Sequence, residues 1–156
     1  MKRRLLIVVL LPTVLVVVAA LVVTGAAPMG TVVLHLDNET YHPNDTVTIT
    51  LRSLRTGAVW FGEGFEVQRL EDGNWVEVPL DRFWRLMLMH LLPGETFRES
   101  FIPAEDFVET PRPGRYRVVK QIQVGPVYYR AALETQTLYA EFHIEAPASE
   151  QQGTGL

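Results

Sequence analysis

The chain has 156 residues, 14 basic against 18 acidic, a net charge of −4 and no cysteine. Apolar residues at 47% and charged residues at 21% are ordinary for a globular protein and exclude wholesale disorder. The absence of cysteine excludes a disulfide scaffold, a thiolate zinc site, a cysteine nucleophile and an acyl-cysteine lipid anchor.

The amino terminus reads as a membrane signal over residues 1–27. Lys2, Arg3 and Arg4 are the only lysines or arginines before position 52, and without them the rest of the chain carries −7, which argues against nucleic acid as a partner. Leu5 to Val23 then runs for 19 uncharged residues, apolar apart from Thr13. That length is close to the roughly 20 residues a membrane-spanning helix needs. It exceeds the roughly 7–15 of a cleaved signal peptide. An N-terminal apolar helix acting as an uncleaved anchor is therefore preferred. Cleavage in the small-residue stretch Thr24-Gly25-Ala26-Ala27 is the alternative, with Pro28 standing just after the second cut. Either way the basic cluster stays inside and the bulk of the chain lies outside the cytoplasm. A buried core helix is disfavoured for so uniformly apolar a run at a terminus.

From residue 31 the dominant signal is strand alternation. Val32, Leu34 and Leu36 share a face, and Val47, Ile49 and Leu51 face away from Thr46, Thr48 and Thr50. Phe65–Gln68 and Val76–Val78 flank Glu71-Asp72-Gly73-Asn74, whose Asp-Gly step suits a tight hairpin. Further strands are expected at Tyr116–Val118, Ile122–Val124, Val127–Leu133 and Leu138–Ile144. Between them lie the turn clusters His42–Asp45, Leu92–Glu95 and Pro111–Gly114, which hold four of the ten prolines. Short strands at this spacing indicate an all-β, antiparallel β-sandwich of the immunoglobulin-like kind over residues 28–146, followed by a disordered tail at 147–156. There is no internal repeat. The stretch Arg82–Leu92 is apolar on both faces if extended. A central strand, or a short helix burying Phe83, Met87 and Leu91, is preferred over a strand whose outer face meets a partner or a membrane surface.

Candidate chemistry is sparse. Serines stand at 53, 100 and 149 without a nucleophile elbow, and Phe61-Gly62-Glu63-Gly64-Phe65 has no following helix to cradle a phosphate. Of the four histidines, His35 and His143 alternate outward. If the first and last strands neighbour each other, these two with Glu141 or Glu145 form a low-ranking metal candidate, behind solvated surface positions. Glu63, Glu66, Glu71, Asp72 and Glu77 read as solubilising charge around a hairpin, and the Glu71–Asn74 turn lacks the ligand spacing of a calcium loop. Arg112, Arg115 and Arg117 form a basic spot too small for nucleic acid. Trp60 and Trp75 read as core or sheet-face packing rather than ligand platforms. No cofactor and no catalytic residue is expected.

Tyr41-His42-Pro43-Asn44-Asp45-Thr46-Val47-Thr48-Ile49-Thr50-Leu51 resembles the Y-x-P-G-D-x-V-x-I-x-L opening of bacterial immunoglobulin-like (Big) domains of exported proteins. Phe61–Val67, Asp72–Trp75, Leu92–Glu95, Pro113–Val118 and Ala140–Ile144 continue the likeness in the family's order. Asn44 stands where glycine is usual, and there is no lipid-modified cysteine. The resemblance implies a β-sandwich outside the membrane without catalytic activity. Tyr116 fits the sandwich corner in which a tyrosine two residues before a core position hydrogen-bonds back, with Val118 in the core position and Gly114 in the turn. A plain buried tyrosine is the equal alternative. The expected function is a noncatalytic extracytoplasmic module, structural or protein-binding, with the membrane as one partner through the N-terminal helix. Bacterial proteinase inhibitors share the opening and the corner. They supply a rival in which a loop such as Thr56-Gly57 or Phe107–Pro113 fills a protease cleft, and a metal- or small-ligand-binding domain is the second rival.

Overall fold

The computed structural model describes residues 30–125 and 133–146. The expected N-terminal helix, the tail at 147–156 and nearly all of the strand expected at Val127–Leu133 lie outside the described residues. Among the described residues no helix is long and apolar enough to cross a membrane.

Two sheets face each other. The first is three-stranded, with β3 (Val47–Ser53) between β1 (Val32–Leu36) and β8 (Thr96–Phe101), all antiparallel. The second runs β2 (Thr40–Tyr41), β10 (Glu134–Ile144), β9 (Gly114–Gly125), β4 (Ala58–Gly62) and β7 (Leu88–Leu91), with β5 (Glu66–Glu71) on β9 and β6 (Asn74–Val78) on β5. One pair departs from the antiparallel expectation. His143 and Ile144 of β10 run parallel to Thr40 and Tyr41 of β2, because the chain must cross from one sheet to the other there. A one-turn helix α1 (Pro103–Asp106) follows β8. The Asp106 carboxylate accepts the Ile102 N–H at its start, and Pro103 supplies a residue that needs no donor.

Local chemistry explains the elements. In β3 the apolar phase Val47, Ile49, Leu51 is buried, and the β5–β6 turn takes positive φ at Asp72 (48°) and Gly73 (84°), as a two-residue hairpin requires. Tyr116–Val118 and Ile122–Val124 belong to one twelve-residue strand. They looked like two because Lys120 interrupts the apolar phase. That lysine points inward all the same.

The core has two apolar clusters. One gathers the aromatic side chains Tyr41, Phe65, Phe101, Phe107, Tyr116 and Phe142, and the other Val59, Phe61, Leu91, Ile122 and Val124. Lys120, 1% exposed, is in contact with the Phe61 and Phe97 rings at the edge of the second cluster. There β9 changes partner: its first half pairs with β5 up to Val119, and its second half pairs with β4 from Ile122. The chain between β4 and β5 turns a corner at Glu63–Phe65 and leaves two carbonyls facing inward. Lys120 Nζ donates to both, Glu63 O at 3.1 Å and Gly64 O at 2.9 Å, and gives its third hydrogen bond to Glu99 Oε1 of the opposite sheet at 3.0 Å. All three ammonium donors are used. Burial holds the Lys120 ammonium below the usual lysine range and the Glu99 carboxyl above the usual carboxylate range, and their attraction offsets only part of each shift.

Removing one partner of such a pair leaves a buried charge. Lys120→Met is expected to cost about 3–5 kcal/mol at neutral pH, read from urea unfolding. With the ammonium gone, Glu99 has a raised folded pKa. Its stabilising protonation is present at low pH and lost as pH rises, so the cost of the substitution shrinks on acidification. Lys120→Met with Glu99→Leu is expected to recover part of the loss, because both corner carbonyls stay without a donor. A double variant as stable as the parent would contradict the corner's dependence on the lysine.

Candidate binding surface

The stretch Asp81–Met87 forms an irregular strap that runs into β7, with a tight turn at Leu86 where Met87 N–H donates to Arg85 O at 2.8 Å. Anchors hold it at Asp81, Arg82, Trp84 and Arg85. Asp81 N–H donates to Asp106 O at 2.8 Å, beside the isolated bridge between Leu80 and Phe107. The Arg82 guanidinium donates to Ser100 O at 2.8 Å, lies 3.5 Å from Asp106 Oδ1 and covers the Trp84 ring at 4.9 Å. Trp84 meets Phe65 edge-on at 4.9 Å and lies so close to Gly64 that a Cβ there would sit 3.3 Å from the indole. Arg85 N–H donates to Glu63 Oε2 at 2.9 Å.

Between and beyond these anchors large apolar side chains face solvent. Phe83 is 93% exposed and Leu86 109%, with Met87 and Leu88 also exposed. The expectation that Phe83 and Met87 line the core is corrected: only Trp84, Met89 and Leu91 turn inward. The strap lies at a sandwich edge, where one side has a layer to pack against and the other has none. β7 pairs with β4 alone, so its far edge is unpaired among the described residues.

Tyr116 closes a corner, with its ring 5.9 Å from that of Phe107. Its hydroxyl donates to Arg112 O at 2.6 Å and accepts from Arg112 N–H at 3.2 Å, while Val118 is fully buried. Gly114 takes φ 151°, where a side chain would be strained. A second tyrosine ties β1, β2 and β3 together. The Tyr41 hydroxyl donates to Asp37 Oδ1 at 2.7 Å, and the same oxygen accepts Thr48 N–H at 2.8 Å. Partial burial opposes the Asp37 charge, but these hydrogen bonds prevail and hold the carboxyl below its usual range. Burial and the Asp37 hydrogen bond push the Tyr41 phenol up.

A family model described as "Bacterial Ig-like domain" matches residues 29–143. The chain belongs to this family. Among solved structures, this Ig-like chain is similar to the E. coli chaperone DraB at 16% identity and a TM-score of 0.46, covering 76% of this chain and 56% of that one. It is also similar to the Pseudomonas fluorescens alkylpurine DNA glycosylase AlkC bound to DNA containing an abasic site analog, at 17% identity and a TM-score of 0.41, covering 81% of this chain and 34% of that one. The Ig-like chain thus spans little more than half of the first structure and about a third of the second. No curated protein matches it.

The remaining sequence candidates sit apart in the Ig-like fold. His35 lies on β1 opposite Thr50 in the three-stranded sheet, whereas His143 and Glu141 lie on β10 in the other. Glu141 is 2.6 Å from an Arg115 guanidinium nitrogen, and Glu145 lies 3.8 Å from His42. Among the described residues no group of three histidine or acidic side chains is placed to hold a metal. Of the loops suited to a protease cleft, Gly57 and Phe107 are buried and the backbone at Arg112 is held by Tyr116, whereas Thr56 and Val108, Glu109 and Thr110 are exposed. Trp75 lies on the outer sheet face. Arg117 is stacked between its ring (4.3 Å) and that of Tyr139 (4.4 Å), and Gln68 Oε1 accepts from both ends of the guanidinium. This stack and the buried lysine were the features missed in the sequence. Both follow from register, which places residues of distant strands side by side.

The two tyrosines are expected to respond differently to loss of the hydroxyl. Tyr116→Phe should cost about 0.5–1.5 kcal/mol at any pH, and Tyr41→Phe about 1.5–3 kcal/mol at neutral pH because its acceptor is charged. The folded Asp37 carboxyl is depressed, so its contribution is present above the ordinary carboxylate value and lost as pH falls through the folded one. Unfolding curves at stepped pH should therefore show the Tyr41→Phe penalty shrinking in acid while that of Tyr116→Phe holds.

Proposed function

We propose that this Ig-like domain is a noncatalytic module held outside the cytoplasm at a bacterial membrane by its N-terminal apolar run, where it binds an extended segment of another protein. The observation that carries the reading is the strap. Phe83, Leu86, Met87 and Leu88 place four large apolar side chains in solvent within six residues, more than scattered surface hydrophobics account for. They adjoin the edge of β7 that is unpaired among the described residues. An exposed strand edge presents main-chain donors and acceptors, and an extended chain adding there would hydrogen-bond to it while burying alternate apolar side chains on the strap. The uncharged run Leu5–Val23 supports the membrane setting, and the basic residues before it support the outward orientation of the domain.

The test uses the full chain in bacterial cells, with a photo-crosslinking amino acid at Leu86 or, as control, at His143 on the far end of β10. The chain is expected to sediment with membranes, to be cut by protease added outside the cytoplasmic membrane, and to form a discrete adduct from position 86 but not from 143. A chain recovered in the cytosol contradicts the location. Equal adducts from both positions, or none from 86, contradict the use of the strap.

A further inference from the structure

The outer face of the larger sheet holds a second surface, which adjoins the strap and shares Trp84 and Leu88 with it. Along β4 the core residues Val59 and Phe61 alternate with Trp60 and Gly62, and along β9 Ile122 and Val124 alternate with Gln121 and Gln123, so this second set faces outward. Two clefts of about 250 Å³ and 360 Å³ lie on this face and share Gly62 and Gln121. Joined, they fall within the roughly 300–1,000 Å³ usual for ligand sites. Trp60, whose ring meets His90 at 5.0 Å, walls one end, and Trp84 walls the other. Gly62 keeps the floor open: a Cβ built there meets nothing within 4 Å.

We infer that this groove binds a short run of neutral sugar, with Trp60 and Trp84 as its walls and Gln121, Gln123 and Thr135 as its hydrogen-bonding groups. The chemistry of the lining selects the ligand. Amides and a hydroxyl both donate and accept, which matches sugar hydroxyls. The Trp60 indole offers an apolar surface for the C–H face of a pyranose ring whose hydroxyls meet the floor, while Trp84, packed on Phe65 and under Arg82, only bounds the groove. No lysine or arginine lines either cleft, and Glu66 is the one charged residue in them, so an anion is disfavoured. Peptide addition is disfavoured too. β9 pairs with β10 on one side and β4 on the other, so the floor presents side chains rather than main-chain groups. From Gln123 to Val119 the floor extends roughly 13 Å at about 3.4 Å per residue, room for several linked sugar units.

The test is calorimetric titration of the full chain, in a detergent without a sugar headgroup, with cellotetraose, chitotetraose, maltotetraose and mannotetraose. At least one is expected to bind and to change tryptophan fluorescence. Gly62→Phe, whose Cβ meets nothing within 4 Å and whose ring would occupy the floor, is expected to weaken that binding about tenfold or more while leaving the melting temperature near that of the parent. Gln121→Leu should weaken it as well, keeping the inference testable if the phenylalanine variant fails to fold. Phe83→Ser removes a strap residue outside the groove and should leave sugar binding unchanged, which separates this inference from the proposed protein contact. Silence with all four sugars, or binding that survives both groove substitutions, overturns it.

Discussion

The structure turns on one buried ammonium group. β9 is long enough to serve two partner strands, and between them the chain must leave the sheet and return at the corner Glu63–Phe65. A corner facing a core exposes carbonyls to a place without water, which costs free energy unless a donor reaches them. Lys120 supplies that donor and reaches the other sheet through Glu99. Buried pairs of this kind stabilise little relative to a well-packed apolar replacement, and their contribution is better described as fixing one arrangement against others. Here the arrangement fixed is the path of the corner.

Both candidate surfaces depend on that path. Glu63 holds the backbone of Arg85, Gly64 leaves room for the Trp84 indole, and Phe65 gives it an edge to rest on. With Trp84 seated, its neighbours Phe83 and Arg85 face outward, and the tight turn at Leu86, where Met87 N–H donates to Arg85 O, breaks the alternation and leaves Leu86, Met87 and Leu88 exposed. On the other side of the same corner, Gly62 opens the floor of the groove. A displaced corner would therefore disturb the strap and the groove together.

Much of the scaffold was legible along the chain. Alternation places β1, β3 and the β5–β6 hairpin, because a half-buried strand writes its period of two into the sequence. The corner at Tyr116 was legible as well, since a proline-glycine step and a tyrosine two residues before a valine are local features. What was not legible is long-range. Nothing near Lys120 announces the carbonyls of residues 63 and 64, so its place in the apolar phase of β9 looked like a break between two strands. Arg82–Leu92 misled for the opposite reason: its apolar content implied two covered faces, whereas position at a sandwich edge gives it one. His35 and His143 alternate outward as expected, but sheet assignment separates them.

The protonation and exchange of Lys120 report on the corner more directly than stability does. NMR of the full chain labelled at lysine Nζ should show one ammonium whose protons exchange slowly at neutral pH, which titrates below the ordinary lysine value and shifts when Glu99 is replaced by glutamine. An Nζ signal for Lys120 that exchanges with water as fast as the surface amines and titrates near the ordinary value of about 10.4 would contradict the account.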